Sequence, residues 1–473
     1  MFETFLLPVS FAAATAALIL GLFLISLMSR NLEVAERRLP VALVFISGML
    51  LLASGLLHPR NLRFASLGAN FIQVETSSAY LLLSRISNSL LVIISLSYLV
   101  LKLIDTKQKS DNRIALPILV IFIFGISNFM LPIFLGAKHG IDHRLLYSIV
   151  FMAVLFSSTS SGVNPTLNAL KVFLFAFLAI SLLFILIDSS RVLAPSYRGF
   201  IPGVNSRFWG LAPHSNAIGP MAAQLVFLEL LVKARSRVIR CSVFLVAATV
   251  LVLAQSKTAI FATIAGLIII WYMRLRHDNG DSRGRLHWRH LAVISIVTAL
   301  SASILMISML GQLDGLIAKM SGRDITTLTG RNVIWEAAYR EFLNNPTFGY
   351  GMTLWDEAYR MKIGLNYAYH AHNQFLQTLA ESGIAGLSGL LMFLGLTLSA
   401  CLRTSRETQG VSLAIFLLLL FRCVTEVPLR PFGIGTGEMF LIATLMCIWR
   451  IAYPAASGTG KLGIGESKQC VFL

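Results

Sequence analysis

Apolar runs of about 20 residues, each closed by a short polar connection, follow one another along almost the whole chain. A run of that length crosses a hydrocarbon core of about 30 Å as a helix, and lipid admits only helices and closed barrels because no water is there to satisfy backbone polar groups. The pattern predicts spans at roughly 5–28, 41–57, 79–104, 114–136, 144–161, 167–189, 219–233, 238–254, 258–274, 291–311, 375–400, 410–427 and 438–452. That is about 12–14 transmembrane helices, the short runs at 144–161 and 219–233 accounting for the spread. The expected fold class is an all-α polytopic membrane protein. Met-Phe-Glu-Thr-Phe at the N-terminus has no basic flank, and the apolar run behind it is too long for a signal peptide, so a retained first span is expected.

Two long polar segments interrupt the rhythm, at 190–218 and 312–374. Inside the second, Thr329 is a plausible N-cap for a helix from Arg331 to about Leu343, with Trp335, Ala338 and Phe342 on one face. Asn345-Pro346 ends it, and Phe348-Gly349-Tyr350-Gly351 reads as a turn. A surface helix lying on the membrane fits the same pattern. No repeat of 20–50 residues is present. The organisation reads as N-terminal spans over 1–190, a second membrane domain over 191–452 that carries the loop 312–374, and a tail from 453 to 473.

Composition agrees: 56% of residues are hydrophobic, only 13% are charged, and mean hydropathy is +0.76, which excludes an ordinary soluble enzyme, disorder and a coiled coil. The formal net charge of +17 suggests nucleic acid until its placement is considered. Lys and Arg number 3, 4, 4, 5 and 2 in the connections 30–38, 102–113, 233–240, 274–289 and 403–406, and alternating spans bring all five to one side. That side is cytoplasmic by the positive-inside bias, together with the C-terminal tail. Charge is thus a topology signal, with no nucleic-acid partner expected. The long loop 312–374 falls on the opposite side with six basic and six acidic residues. The five cysteines form no CxxC pair and accompany no metal-spaced histidines; Cys470-Val-Phe-Leu is a formal but unspecific prenylation match.

Charges inside spans are costly and draw functional suspicion. Arg85, Lys257, Arg422 and Glu426 lie in or beside apolar runs near the external ends. Arg422 and Glu426 are four apart, so a helix would pair them. Lys171, near a cytoplasmic end, is expected to snorkel. Two external stretches are richer: Arg207 to Pro220, with His214 and Asn216, and Ser321 to Gly386, with Arg323, Arg331, His370, His372, Asn373 and Glu381. Guanidinium groups bind phosphate in a bidentate way without a metal, and histidine is the natural base near neutral pH. Together they suggest a lipid-linked phosphate substrate and a proton to remove from its partner. His370 and His372 also have the spacing of two metal ligands, although no acidic cluster accompanies them, and His214 suits a capping role as well as a catalytic one.

The string Gly-Arg323-Asp…Leu-Thr-Gly-Arg331…Ile-Trp335, then Asn-Pro…Gly-Tyr-Gly, then His-Ala-His372-Asn373…Glu381-Ser-Gly383-Ile-Ala-Gly386, resembles the O-antigen ligase/polymerase superfamily of bacterial envelope glycosyltransferases. Arg207 with His214-Ser-Asn216, and Gln-Ser256-Lys257-Thr-Ala, resemble earlier blocks of that family, so the resemblance covers roughly 200–427. Its most specific element is His-Asn followed after nine residues by Gly-x-x-Gly, filled by His372, Asn373, Gly383 and Gly386. Lys257 stands where many relatives show Arg, which keeps the cation and loses the fork.

The resemblance implies a GT-C-like transferase of the bacterial inner membrane, with its active face periplasmic and no cofactor or metal. The donor would be an undecaprenyl-diphosphate-linked glycan and the acceptor a glycan or lipid A-core, with membrane lipid and a chain-length regulator as further partners. His372 would take the proton from the acceptor hydroxyl. Arg207 and Arg331, followed by Arg323 and Lys257, would hold the diphosphate, and His214, Asn216, Asn373, Glu381, Gly383 and Gly386 would support them. Asn373 and the helix that follows, closed by Gly383 and restarted into the span through Gly386, would fix the position of His372. The loop's opening looks closer to exopolysaccharide polymerases, which ranks polymerisation ahead of ligation to lipid A-core and of protein glycosylation. A lipid-linked glycan flippase is the reading from another class. It calls for inverted repeats and helices broken at midplane, and neither is read in the sequence.

Overall fold

The computed structural model describes residues 26–58, 60–63, 77–104, 112–141, 143–158, 160–195, 197, 204–278, 331–365, 368–431 and 433–454. The expected spans at 5–28 and 291–311, the residues Arg323 and Thr329, and the tail beyond 454 lie outside the described residues, apart from the last turn of the first span. In chain order the helices are α1 (Leu32–Leu57), α2 (Ser78–Ile104), α3 (Asn112–Gly125), α4 (Leu131–Leu135), α5 (His143–Ser157), α6 (Val163–Ile187), α7 (Ser189–Val192), α8 (Ser215–Leu231), α9 (Arg237–Ala254) and α10 (Lys257–Asp278). They continue as α11 (Arg331–Asn344), α12 (Glu357–Lys362), α13 (Gln374–Thr404), α14 (Val411–Thr425) and α15 (Gly437–Ala452). A π-helical turn, Ile126–Met130, joins α3 to α4, and β1 (Leu193–Pro195) pairs antiparallel with β2 (Ser206–Phe208).

Among the described residues, seven helices are long and apolar enough to cross a membrane, and the protein is an all-α, multi-pass membrane protein. Four further expected spans form helices of only 15, 17, 15 and 16 residues, namely α5, α8, α14 and α15. They sit inside the bundle. Trp449 of α15 has no exposed surface and lies between Phe156 of α5 (6.3 Å) and Phe393 of α13 (5.2 Å). The outer helices carry the opposite pattern: Leu82, Leu103, Leu186, Val238 and Leu245 are all exposed. So much bare apolar surface suits lipid and not water.

Polar contacts gather at the two ends of the bundle, and they sort the connections as the charge pattern does. At one end Lys102 pairs with Glu36, Arg274 Nε donates to Gln409 (3.1 Å), and Arg403 covers the Tyr453 ring (4.9 Å). Lys171 does not snorkel. Its helix begins at Val163, so Lys171 lies two turns in, buried, and pairs with the fully buried Glu229 (3.1 Å), which also accepts from the Ala234 amide (2.8 Å). A buried charge needs such a partner, and Glu229 supplies it from another helix. At the other end Arg60 donates to the carbonyls of Arg191 (2.8 Å), Ala212 (2.6 Å) and Gly210, and Arg191 returns to those of Leu56 (3.1 Å) and His58 (3.3 Å). These two guanidiniums tie the connection after α1 to the β1–β2 hairpin.

The break expected from the sequence, a helix closed at Gly383 with the span restarting through Gly386, is found in α13. Gly383 takes φ 62°, ψ −159°, a backbone region that only glycine enters readily. The groups released there are taken up by the segment 346–351: Ile384 N donates to Pro346 O (2.8 Å), Ala385 N to Thr347 O (3.1 Å), Tyr350 N to Ala380 O (2.8 Å) and Gly351 N to Glu381 O (3.0 Å). On the far side the π turn is docked, with Asn128 Nδ2 donating to Gly386 O (3.0 Å) and Ser382 Oγ to Asn128 O (3.0 Å). The break thus lies near the start of α13 and locks the segment 346–351 to it. A Cβ on residue 383 would stand 2.4 Å from the backbone of Thr347. Gly383→Ala should therefore cost at least about 1–3 kcal/mol, read as lost purified yield and a lower unfolding midpoint in detergent. Gly395→Ala, where a Cβ meets open space, is expected to match the unmodified protein.

Candidate active site

The turn before α13 is held from three directions. Trp335 Nε1 donates to Ala371 O (2.8 Å), Ala371 N donates to Gln377 Oε1 (2.7 Å), and Asn373 caps α13 by accepting from Leu376 N (3.0 Å) while donating to Val424 O (3.3 Å). Between these anchors His372 sits at φ 49°, a left-handed conformation that a histidine adopts only when its surroundings impose it. Helix α11 forms where the pattern predicted it, rotated slightly. Ile334 and Ala338 are its buried positions, on a small core with Leu354, Trp355, Tyr359 and Ala371, and Phe342 stays half-exposed. The rotation leaves Arg331, at the first residue of the helix, on the inner side.

At the centre is Glu426. Sequence spacing paired it with Arg422, but α14 ends at Thr425 and Glu426 has extended backbone, so it leaves the helix. Arg422 bonds Glu438 instead (2.7 Å). Glu426 Oε2 accepts from His372 Nδ1 (2.9 Å) and has His370 Nε2 at 3.9 Å. Its Oε1 accepts from Asn216 Nδ2 (2.7 Å) and faces Arg331 Nη2 at 3.6 Å. Asn216 Oδ1 in turn accepts from Arg207 Nη2 (2.8 Å), while Arg207 Nε donates to Ala254 O (3.2 Å) and its guanidinium lies over Tyr197 (4.7 Å). The hairpin register, Ala194 opposite Arg207, and Gln255, which donates to Val204 O (3.2 Å) and Ser206 O (3.0 Å), set the arginine's height.

The protonation pattern follows from these bonds. His214 is the N-cap of α8: its Nδ1 accepts from Asn216 N (3.1 Å) and its ring packs on Trp209 (4.4 Å). Burial, reinforced by Arg207, pushes its pKa down to about 3, so it is neutral and serves as a cap. His370 accepts from His372 N (3.1 Å) at Nδ1, and burial with the neighbouring His372 lowers its pKa to about 4. His372 donates through Nδ1, which leaves Nε2 as its free acceptor position.

His370, His372 and Glu426 bring ligand atoms within 4.8 Å of one another, as a metal site would. The donor chemistry does not fit a resident ion. Neutral His370 already uses its Nδ1 lone pair, so its Nε2 carries the proton and offers none, and Arg331 stands 3.6 Å from the same carboxylate.

Seven of the residues singled out from sequence therefore meet here: Arg207, His214, Asn216, Arg331, His370, His372 and Asn373. Lys257 stands at the rim, next to Thr258, whose hydroxyl donates to that of Thr425 (3.1 Å). Glu381, Gly383 and Gly386 lie behind the site; Glu381 pairs with buried Arg430 (2.6 Å), which also holds Met352 O (2.9 Å). Arg85 is exposed on α2. The residue that the sequence reading missed is Glu426, flagged as a charge in an apolar run but assigned to the wrong partner. Pro428, two residues on, was the available signal, because the residue before a proline resists helical backbone.

Comparison with known proteins places this cluster in context. Residues 242–391 match a family described as O-Antigen ligase. The chain is also 28% identical over 224 residues to the Exopolysaccharide production protein ExoQ of Rhizobium meliloti (strain 1021), an alignment that covers 44% of this chain. The chain spans about half the length of that curated relative, 49%. The matched segment runs from α9 through the break in α13, and so includes Arg331, His372 and Asn373. Both comparisons make this part of the chain similar to proteins of the O-antigen ligase/polymerase-like superfamily.

Proposed function

We propose that this protein is a glycosyltransferase that polymerises an undecaprenyl-diphosphate-linked oligosaccharide on the periplasmic side of the bacterial inner membrane. The observation that carries the reading is the convergence of His372, Arg331 and, through Asn216, Arg207 on one carboxylate, from three separate segments of the chain. Arg207 and Arg331 bind the donor diphosphate and neutralise the charge that grows on it as the bond from the anomeric carbon to oxygen breaks. Diphosphate is already a good leaving group, so two guanidiniums suffice without a divalent ion. His372 Nε2 accepts the proton of the acceptor hydroxyl, whose oxygen attacks the anomeric carbon from the opposite face with inversion. Glu426, on Nδ1, fixes the tautomer and faces the imidazolium that forms. Undecaprenyl diphosphate departs. The relative's role in exopolysaccharide production favours polymerisation over ligation.

The deciding experiment supplies purified protein and lipid-linked repeat units in a cell-free assay. Longer chains on the same lipid are expected, unaffected by chelators. Transfer to added lipid A-core marks a ligase instead, and movement across the bilayer with no new bond marks a transporter. The facing of the site is tested separately, in a background lacking Cys241 and Cys470. Cysteine at exposed Met361 should react with an impermeant reagent on whole cells, and cysteine at exposed Glu407 should not. The reverse result would invert the topology and remove the periplasmic assignment.

A further inference from the structure

The resting site is closed on itself, and this bears on how substrate enters and product leaves. Glu426 is the acid in contact with both of the arginine systems assigned to the diphosphate: Arg331 directly, at 3.6 Å, and Arg207 through the Asn216 amide, with links of 2.8 and 2.7 Å. The contacts differ in kind. Asn216 and His372 are within hydrogen-bonding distance of the carboxylate, at 2.7 and 2.9 Å, whereas Arg331 at 3.6 Å is beyond it. The Arg331 contact is therefore a charge attraction without a hydrogen bond, the one most easily given up.

We infer that Glu426 is an internal stand-in for the donor's diphosphate, holding Arg331 in the empty site and exchanging it for the phosphate when donor binds, while it keeps His372 in place throughout. This rests on the proposed transferase reading and adds a regulated step to it. An anion that already occupies the arginine lowers donor affinity, because the incoming phosphate must displace it. The same anion recaptures Arg331 when undecaprenyl diphosphate is left behind, which speeds release. No covalent change is involved. Glu426 is thus a positioning residue towards His372 and a competitor towards the donor, and the two roles move affinity and turnover in opposite directions when the charge is removed.

That opposition is the test. The probe is undecaprenyl diphosphate itself, titrated into full-length protein in detergent micelles, with turnover on lipid-linked repeat units read in parallel. Glu426→Gln removes the charge, so it should bind the probe about tenfold more tightly, ~1.4 kcal/mol, while turnover falls by on the order of 10²-fold or more because His372 loses its orienting partner. Glu426→Asp draws the carboxylate back by one methylene and should show the same pair of effects, smaller in both; it carries the test should Glu426→Gln fail to fold. A merely structural carboxylate would weaken binding and turnover together. In an Arg331→Gln background the affinity gained from Glu426→Gln should vanish, since the exchanged group is gone. Probe affinity equal to or below that of the unmodified protein in the variants that fold, or a gain that survives Arg331→Gln, overturns the inference. An affinity gain in a protein that never forms a glycosidic bond upholds the exchange and sinks the transferase reading. Unmodified protein that does not bind the probe overturns both.

Discussion

His372→Ala leaves an inserted, abundant protein that yields no detectable glycan product. The loss expected for a general base is about 10²–10⁴-fold in turnover, enough to take a membrane polymerase below detection. The ring is positioned as a base needs to be. One nitrogen is committed to Glu426 at 2.9 Å, and the backbone of the turn is pinned by Trp335, Gln377 and Asn373 in a left-handed conformation that would otherwise relax. The competing explanation is that His372 only shapes the start of α13. Capping, however, belongs to Asn373, whose Oδ1 accepts from Leu376 N at 3.0 Å. His372→Asn separates the two, because asparagine tolerates left-handed backbone and bonds its neighbours but takes no proton near neutral pH. It should be as inactive as His372→Ala. Near-normal product from His372→Asn, measured at equal protein level, would end the assignment. His370→Ala should be milder: it removes the acceptor for the His372 amide (3.1 Å) but leaves the His372–Glu426 bond intact.

The parts of this molecule that were legible in its sequence are those on which lipid imposes a rule. Length and apolarity located the spanning helices among the described residues to within about four residues, because a span has no alternative composition; α1, which begins at Leu32 and not near 41, is the exception, and the short α7 and α12 were not read at all. The same rule is silent on depth. Runs that became α8 and α15 look like any other span, yet they are buried on nearly every side, and only the packing of Trp449, Phe440 and their neighbours shows it. Residues that the family motifs share were found, even from separate segments, as with Arg207, Arg331 and His372; partners that no motif relates were not. Lys171 and Glu229 are 58 positions apart in numbering, and no periodicity relates them. Glu426 was misassigned because four-residue spacing to Arg422 implies a pair only while the helix continues, and it stops one residue earlier. The break at Gly383 was legible as the close of one helix and the restart of the span, whereas the segment 346–351 that supplies partners for the freed backbone was not.

Arg207→Lys and Arg331→Lys should each reduce turnover by about 2–4 kcal/mol of transition-state stabilisation, by analogy with the removal of one donor from an oxyanion site. Both variants keep the positive charge, so the loss isolates what the planar fork contributes. At position 207 the fork has a visible structural task. Nε holds Ala254 O at 3.2 Å while Nη2 holds Asn216 at 2.8 Å, and a single ammonium cannot span both and still face a phosphate. Arg207→Lys should therefore also loosen Asn216, and through it Glu426, and affect turnover more than affinity. At position 331 the guanidinium contacts Glu426 among the described residues only at 3.6 Å, beyond hydrogen-bonding distance, so on the proposed reading Arg331→Lys should weaken donor binding as well as turnover. The measurement is initial rate against lipid-linked donor concentration for each variant at matched protein level. Equal losses in rate and affinity at both positions would mean that the arginines act as interchangeable charges. Full activity in both lysine variants would remove the bidentate assignment, and with it the physical reason for proposing a metal-free diphosphate site.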